Sequence, residues 1–157
     1  MSKQRLALSV LALSAAAFTA LVANEGFSDK AYIPVKGDVP TLGHGSTTHA
    51  DGTPVRMGDT ITREQAAVRT RIDVAKFEGS LKSCVKVPLH QHEFDAFVRL
   101  EYNIGSKAFC GSTLVKRLNA YDYAGACEAI LMWDKFKGKP LRGLTIRRQE
   151  EYKECLG

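Results

Sequence analysis

From Leu6 to Ala23 the chain runs for 18 residues without a charge, and only after Glu25 do polar and apolar positions recur at regular spacing. Tyr32 to Val35 and Val39 to Leu42 flank the reversal Lys36-Gly37-Asp38. A glycine there supplies the positive φ that other residues avoid, so the two runs are expected to fold back as a short hairpin. Thr48 to Thr60 is rich in Gly, Asp and Pro and reads as loop. Thr62 and Gln65 have the spacing of a capping box, after which Val68, Ile72 and Ala75 recur as the buried face of a helix, with Arg63, Arg69 and Arg71 solvated. A second helix is expected from about His90 to Asn103 on the stripe Phe94, Phe97, Val98 and Ile104. Ser112 caps a third through Asn119, burying Leu114, Val115 and Leu118. A fourth covers Asp122 to Trp133, with Ala124, Cys127, Ile130 and Leu131 inward and Trp133 as a core residue by default or else a sugar-stacking ring. Lys135 to Leu144 reads as a basic, Gly-rich loop, and Thr145 to Leu156 as a final amphipathic helix with Arg147 and Arg148 near Glu150 and Glu151.

Composition narrows the class. Of 157 residues, 45% are hydrophobic and 25% charged, which describes a globular chain with room for one domain of about 130 residues after the uncharged run. The net charge of +5 favours polyanions such as cell-wall polymers and anionic lipid. No nucleic-acid-binding motif is recognisable, so no nucleic-acid partner is expected. Cys84, Cys110, Cys127 and Cys155 contain no Cys-x-x-Cys pair. An even number at wide spacing behind an export-like N-terminus suggests two disulfides. Three pairings are possible; Cys84 with Cys110 and Cys127 with Cys155 is the one expected, since each joins neighbouring elements. The histidines His44, His49, His90 and His92 show no metal-ligand spacing, so neither metal nor cofactor is expected.

The candidate chemistry lies between Ala23 and Thr48, where Glu25, Asp38, Thr41 and His44 surround the hairpin. Two carboxyls and a hydroxyl at one cleft suit glycoside hydrolysis, in which one group protonates the leaving oxygen and others position water. The segment resembles the active-site region of phage-type lysozymes, the endolysins of glycoside hydrolase family 24. Glu25 matches the family's acid, Ala31-Tyr32 its Ala-Tyr, Pro40-Thr41 its Pro-Thr, and Gly43-His44-Gly45 the strand that follows. The family spacing places an Asp nine residues after the Glu, where this chain has Pro34; the loop carries an insertion, and the family's Asp is either displaced to Asp38 or absent. Glu93-Phe-Asp-Ala-Phe-Val and Tyr102-Asn-Ile-Gly105 resemble the family's second signature.

The resemblance implies an α+β, lysozyme-like fold: a small hairpin sheet beside a bundle of five or six helices, with a cleft between them. It implies a monomeric muramidase cutting the β-1,4 bond between N-acetylmuramic acid and N-acetylglucosamine in peptidoglycan for host lysis. Glu25, Asp38 and Thr41 are then the catalytic candidates, and Tyr32, His44 and Asn103 the contacts to the glycan strand. His44 could pair with Asp73 at the cleft edge. The alternatives are a lytic transglycosylase and an inactive wall-binding protein on the same fold.

The N-terminal run, residues 1–23, precedes a catalytic domain of residues 24–157. Lys3 and Arg5 ahead of Leu6 predict an N-terminus inside the inner membrane and Glu25 outside. Seven of the 18 residues are Ala and three are Ser or Thr, so insertion is weakly favourable. A cleaved signal peptide with its site near Ala15-Ala16-Ala17 and a permanent anchor both fit. The resemblance adds a signal-anchor-release segment, which tethers the enzyme facing the periplasm and later leaves the bilayer to join the soluble fold.

Overall fold

The structure, a computed structural model, describes residues 4–157. Its elements follow the order α1 (Ala15–Glu25), β1 (Ser28–Tyr32), β2 (Thr41–Gly43), α2 (Arg63–Cys84), α3 (Gln91–Ile104), α4 (Ser106–Cys110), α5 (Thr113–Asn119), α6 (Tyr123–Ala129), β3 (Lys135–Phe136), β4 (Lys139–Pro140) and α7 (Arg142–Leu156). The chain divides into two compact units, Phe18–Lys76 on one hand and Met1–Ala17 with Phe77–Gly157 on the other.

In the unit Phe18–Lys76, β1 and β2 pair antiparallel with Ser28 opposite Gly43 and Tyr32 opposite Thr41, and a bulge lies between those pairs. The reversal is the expected one, but the strands lie farther from it than the expected Tyr32–Val35 and Val39–Leu42, and residues 33–40 form a longer loop. Asp38 N–H donates to Val35 O at 2.9 Å across Lys36-Gly37, and Gly37 has φ +90°, as the third position of a type II turn requires. Ala31, Leu42, Val55 and the partly buried Ile61 form a small core beneath the hairpin. The loop that follows is fastened to β1 by Ala31 N–H to Asp59 O and Ile61 N–H to Asp29 O, both 3.0 Å.

The capping box of α2 forms as its spacing predicts, with Thr62 N–H donating to Gln65 Oε1 and Gln65 N–H to Thr62 Oγ1. The expected buried face does not form. Val68 is 58% exposed, whereas Ala66, Arg69, Thr70 and Val74 are buried. Two features explain the rotation: Ala66 lies where a Cβ on Gly43 would meet its own Cβ at 3.1 Å, a close approach that only small residues permit, and Arg69 has partners inside. Its guanidinium donates to Thr48 O and Oγ1 and pairs with Asp73 at 2.9 Å.

In the other unit, α3 is the central helix. Residues Glu93 to Leu100 and Glu101 are all buried, so it is enclosed on every side rather than on one stripe. It packs against α7 and α4, and α5 packs against α6. Ser112 and Asp122 cap α5 and α6, accepting from Val115 and Gly125 N–H. Within α6 the buried residues are Ala126, Cys127 and Ala129, while Ala124 is exposed; a 3-10 turn at Ile130–Met132 takes over where the helix was expected to continue to Trp133. The disulfides are Cys84–Cys110 and Cys127–Cys155, each with Cα atoms 5.7 Å apart. Seven α-helices form among the described residues, α4 lying where no element was expected, and the basic loop contains the hairpin β3–β4.

The uncharged N-terminal run is folded. Leu6 exchanges backbone hydrogen bonds with Leu89 at 2.8 and 3.0 Å, and Leu11 is buried. Lys82 donates to Leu11 O, Gln91 to Ala12 O, while Glu78 and Asp95 accept from Leu13 and Ser14 N–H. Ser14 Oγ then accepts from Ala17 N–H and starts α1. No helix among the described residues is long and apolar enough to cross a membrane.

Candidate active site

Glu25 is the last residue of α1, and the chain immediately beyond it is held from two sides. His44, 5% exposed in the turn after β2, bonds through Nδ1 to the Gly26 carbonyl. Its ring also lies 5.4 Å from that of Phe27, and the Arg63 guanidinium covers Phe27 at 4.3 Å. A bond to the carbonyl, an aromatic contact and a cation over the ring thus fix the two residues that follow the carboxylate. The register then carries β1 past β2 so that Thr41 stands opposite Tyr32.

Thr41 is 6% exposed, and its hydroxyl donates to Val39 O at 3.3 Å. With that proton committed, the oxygen lone pairs are available as acceptors. Tyr32 is 42% exposed. Asp38 sits at the exposed tip of the reversal, where Oδ1 accepts from Val39 N–H at 2.8 Å. Asn103 belongs to the other unit, exposed near the end of α3, and its Oδ1 accepts from Arg148 at 2.6 Å, which leaves the amide NH2 as a donor.

The expected pairing of His44 with Asp73 is replaced by another. His44 takes Gly26, and Asp73 accepts from Ser46 Oγ at 3.0 Å while pairing with Arg69. The residue two positions further along the strand and turn is the one that reaches α2.

Three features escaped the sequence reading. The Phe27–Arg63 contact joins residues 36 apart and leaves no local signal. Arg148 and Glu151 are both fully buried in α7, and desolvation raises the Glu151 carboxyl while Arg148, Arg147 and Arg99 pull it back. Their three-residue spacing was the available clue. Glu101, also fully buried, is pushed up to about 7 by desolvation, with the Ser106 and Ser80 hydroxyls lowering it in part. A carboxylate four residues from Phe97 and three from Val98, on the inward stripe, was its signal.

A helix closing on a carboxylate, a short hairpin beyond it and a body of helices make up a lysozyme-like α+β protein. Residues 22–151 match the phage lysozyme family, to which the chain belongs. It is 38% identical over 141 residues to the endolysin of Salmonella phage P22, covering 90% of this chain and 96% of that one. It is 38% identical over 146 residues to the SAR-endolysin of Pseudomonas phage phiKMV, covering 90% and 87%. The solved endolysin from Escherichia coli O157:H7 phage FAHEc1 superposes with a TM-score of 0.81 at 39% identity, covering 94% of each chain.

Proposed function

We infer that this chain is an endolysin, a muramidase hydrolysing the β-1,4 bond between N-acetylmuramic acid and N-acetylglucosamine in peptidoglycan. The observation that carries this reading is the family match over residues 22–151, together with a relative named endolysin that aligns over 96% of its length. The transglycosylase and inactive-protein readings are not favoured by these relationships.

In the proposed reaction, Glu25 donates a proton to the glycosidic oxygen and Thr41 accepts a hydrogen bond from the attacking water. The buried hydroxyl already directed at Val39 O supports Thr41 in that role. Asp38 assists from the hairpin tip. Tyr32 and the Asn103 amide contact the glycan, and His44 acts on the site through the Gly26–Phe27 backbone that it holds. Glu25→Gln is expected to keep the melting temperature within a few degrees and to lower peptidoglycan hydrolysis on the order of a thousandfold or more. Substantial residual activity removes Glu25 from its role. Asp38→Asn is expected to cost far less, because the tip carboxylate is exposed and already bonded to its own backbone. Mass spectrometry of the products should find them one water heavier than the anhydro-sugars of a transglycosylase.

Residues 6–23 tether the newly made protein to the inner membrane with Glu25 on the periplasmic side, and the enzyme acts as a soluble periplasmic monomer after release. The uncharged, Ala-rich run and the SAR-endolysin relative support this. Residues 1–23 are thus the anchor and 24–157 the catalytic part. Fractionation after a pulse of synthesis tests it: full-length protein should move from the membrane to the soluble fraction, and a product found only in shortened form would refute release.

A further inference from the structure

The eight residues from Lys135 to Arg142 are exposed throughout, and the muramidase reading makes no use of them. They fold as the β3–β4 hairpin, with Lys135 opposite Pro140 and Phe136 opposite Lys139. Lys137 and Gly138 form the turn, with φ of +49° and +78°. Two successive positive φ values are those of a type I′ turn, whose first central place favours Asn, Asp or Gly. A lysine is kept at the tip against that preference.

The charge is concentrated here. Lys135, Lys137, Lys139 and Arg142 place four positive charges and no acid within eight residues, against a net +5 for the whole chain. The neighbouring acid, Asp134, is engaged inside the fold: its carboxylate accepts from Thr145 Oγ1 at 3.2 Å, and its carbonyl closes the hairpin base by accepting from Leu141 N–H at 2.9 Å. Apolar side chains stand among the cations. Phe136 is 59% exposed, Leu141 50% and Met132, just before the hairpin, 59%, and Lys137 Nζ lies 5.5 Å from the Phe136 ring centroid.

We propose that this hairpin is an interfacial docking element for an anionic lipid surface. The four cations meet headgroup phosphates, while Phe136 and Leu141 enter the layer just beneath them. A wall polymer fits less well, because the exposed side chains between the cations are apolar and offer a sugar no hydrogen bond. The element is separate from residues 6–23 and works on the folded protein.

The test is cosedimentation of the full-length protein with vesicles of phosphatidylglycerol and phosphatidylethanolamine, with phosphatidylcholine vesicles as the control. Binding is expected to the anionic vesicles, and to weaken as salt is raised. Each cation near an anionic surface is worth roughly fivefold in partitioning, so the variant K135Q/K137Q/K139Q/R142Q should lose on the order of several hundredfold. F136S/L141S should lose roughly tenfold, since both side chains are half exposed and each buries only part of its surface in the interface. Both variants should keep wild-type melting and wild-type hydrolysis of purified peptidoglycan, which separates this proposal from the muramidase reading. Wild-type partitioning by either variant overturns it. So does a four-site variant that loses binding to purified cell-wall sacculi while retaining vesicle binding, since that result would assign the hairpin to the wall.

Discussion

A carboxyl enclosed near the C-terminal end of α3 makes the stability of this protein depend on pH in an unusual direction. Glu101 is excluded from solvent and its carboxyl is raised from 4.5 to about 7, chiefly by desolvation. The folded state therefore holds this proton more tightly than the unfolded chain does. The resulting stabilisation is fully present below about pH 4.5 and is lost as pH rises through about 7. Glu101→Gln keeps the shape and cannot ionise, so urea denaturation should show it gaining on wild type from pH 5 to pH 8, by up to about 3 kcal/mol. A constant gap between the two proteins across that range would show that Glu101 does not titrate there. At this scale the sequence was legible where a motif named the residue and silent where a partner lay far away. The family resemblance singles out Glu25 and Thr41 as candidates, whereas the bond from His44 to Gly26, in place of Asp73, depends on which side of a three-residue strand faces α2.

The element that changes most between sequence and structure is the N-terminal run. Read alone it is a lipid-like stretch; folded, it is held by polar side chains of α2 and α3 that satisfy its backbone one group at a time. A buried N–H or C=O without a partner costs about 1–3 kcal/mol, so these contacts hold the run in the fold rather than leave its backbone unpaired. Glu78→Ala combined with Asp95→Ala removes the acceptors for Leu13 and Ser14 N–H. The double variant should be less stable by roughly 2–4 kcal/mol in urea and should leave a larger share of protein in the membrane fraction; unchanged fractionation would separate capture from release. The other elements were legible to the degree that their ends carry chemistry. Thr62 and Ser112 announce helix starts through caps that form as expected, and Asp122, expected as the first residue of its helix, caps it instead. The inward face of α2 was not legible, because Ala66 and Thr70 are small or polar and Arg69 is buried by virtue of distant partners. Nor was the β3–β4 hairpin, whose Lys-Gly turn and lysine-rich strands carry none of the β-branched pattern that signals a strand.

For the molecule as a whole, the covalent cross-links fall on one side of the division. Cys84–Cys110 and Cys127–Cys155 lie within the unit containing Phe77–Gly157, and Phe18–Lys76, which carries Glu25, contains no cysteine. Loops of 26 and 28 residues correspond to about 3.5 kcal/mol each in the chain-entropy picture of disulfide stabilisation. Reduction should therefore lower stability markedly, and hydrogen exchange should report the loss first in α3 to α7 rather than in the β1–β2 hairpin. Protection lost equally everywhere would show that the two units unfold as one. The same map bears on how such an enzyme can be matured. Cutting near Ala15–Ala17 would discard Leu6, Leu11 and Ser14, and with them the backbone groups that Glu78, Lys82 and Asp95 hold. The stretch before Ala15 is thus a part of the folded body, pairing with Leu89 and starting α1 at Ser14, and a protein without it would have to close those positions by other means.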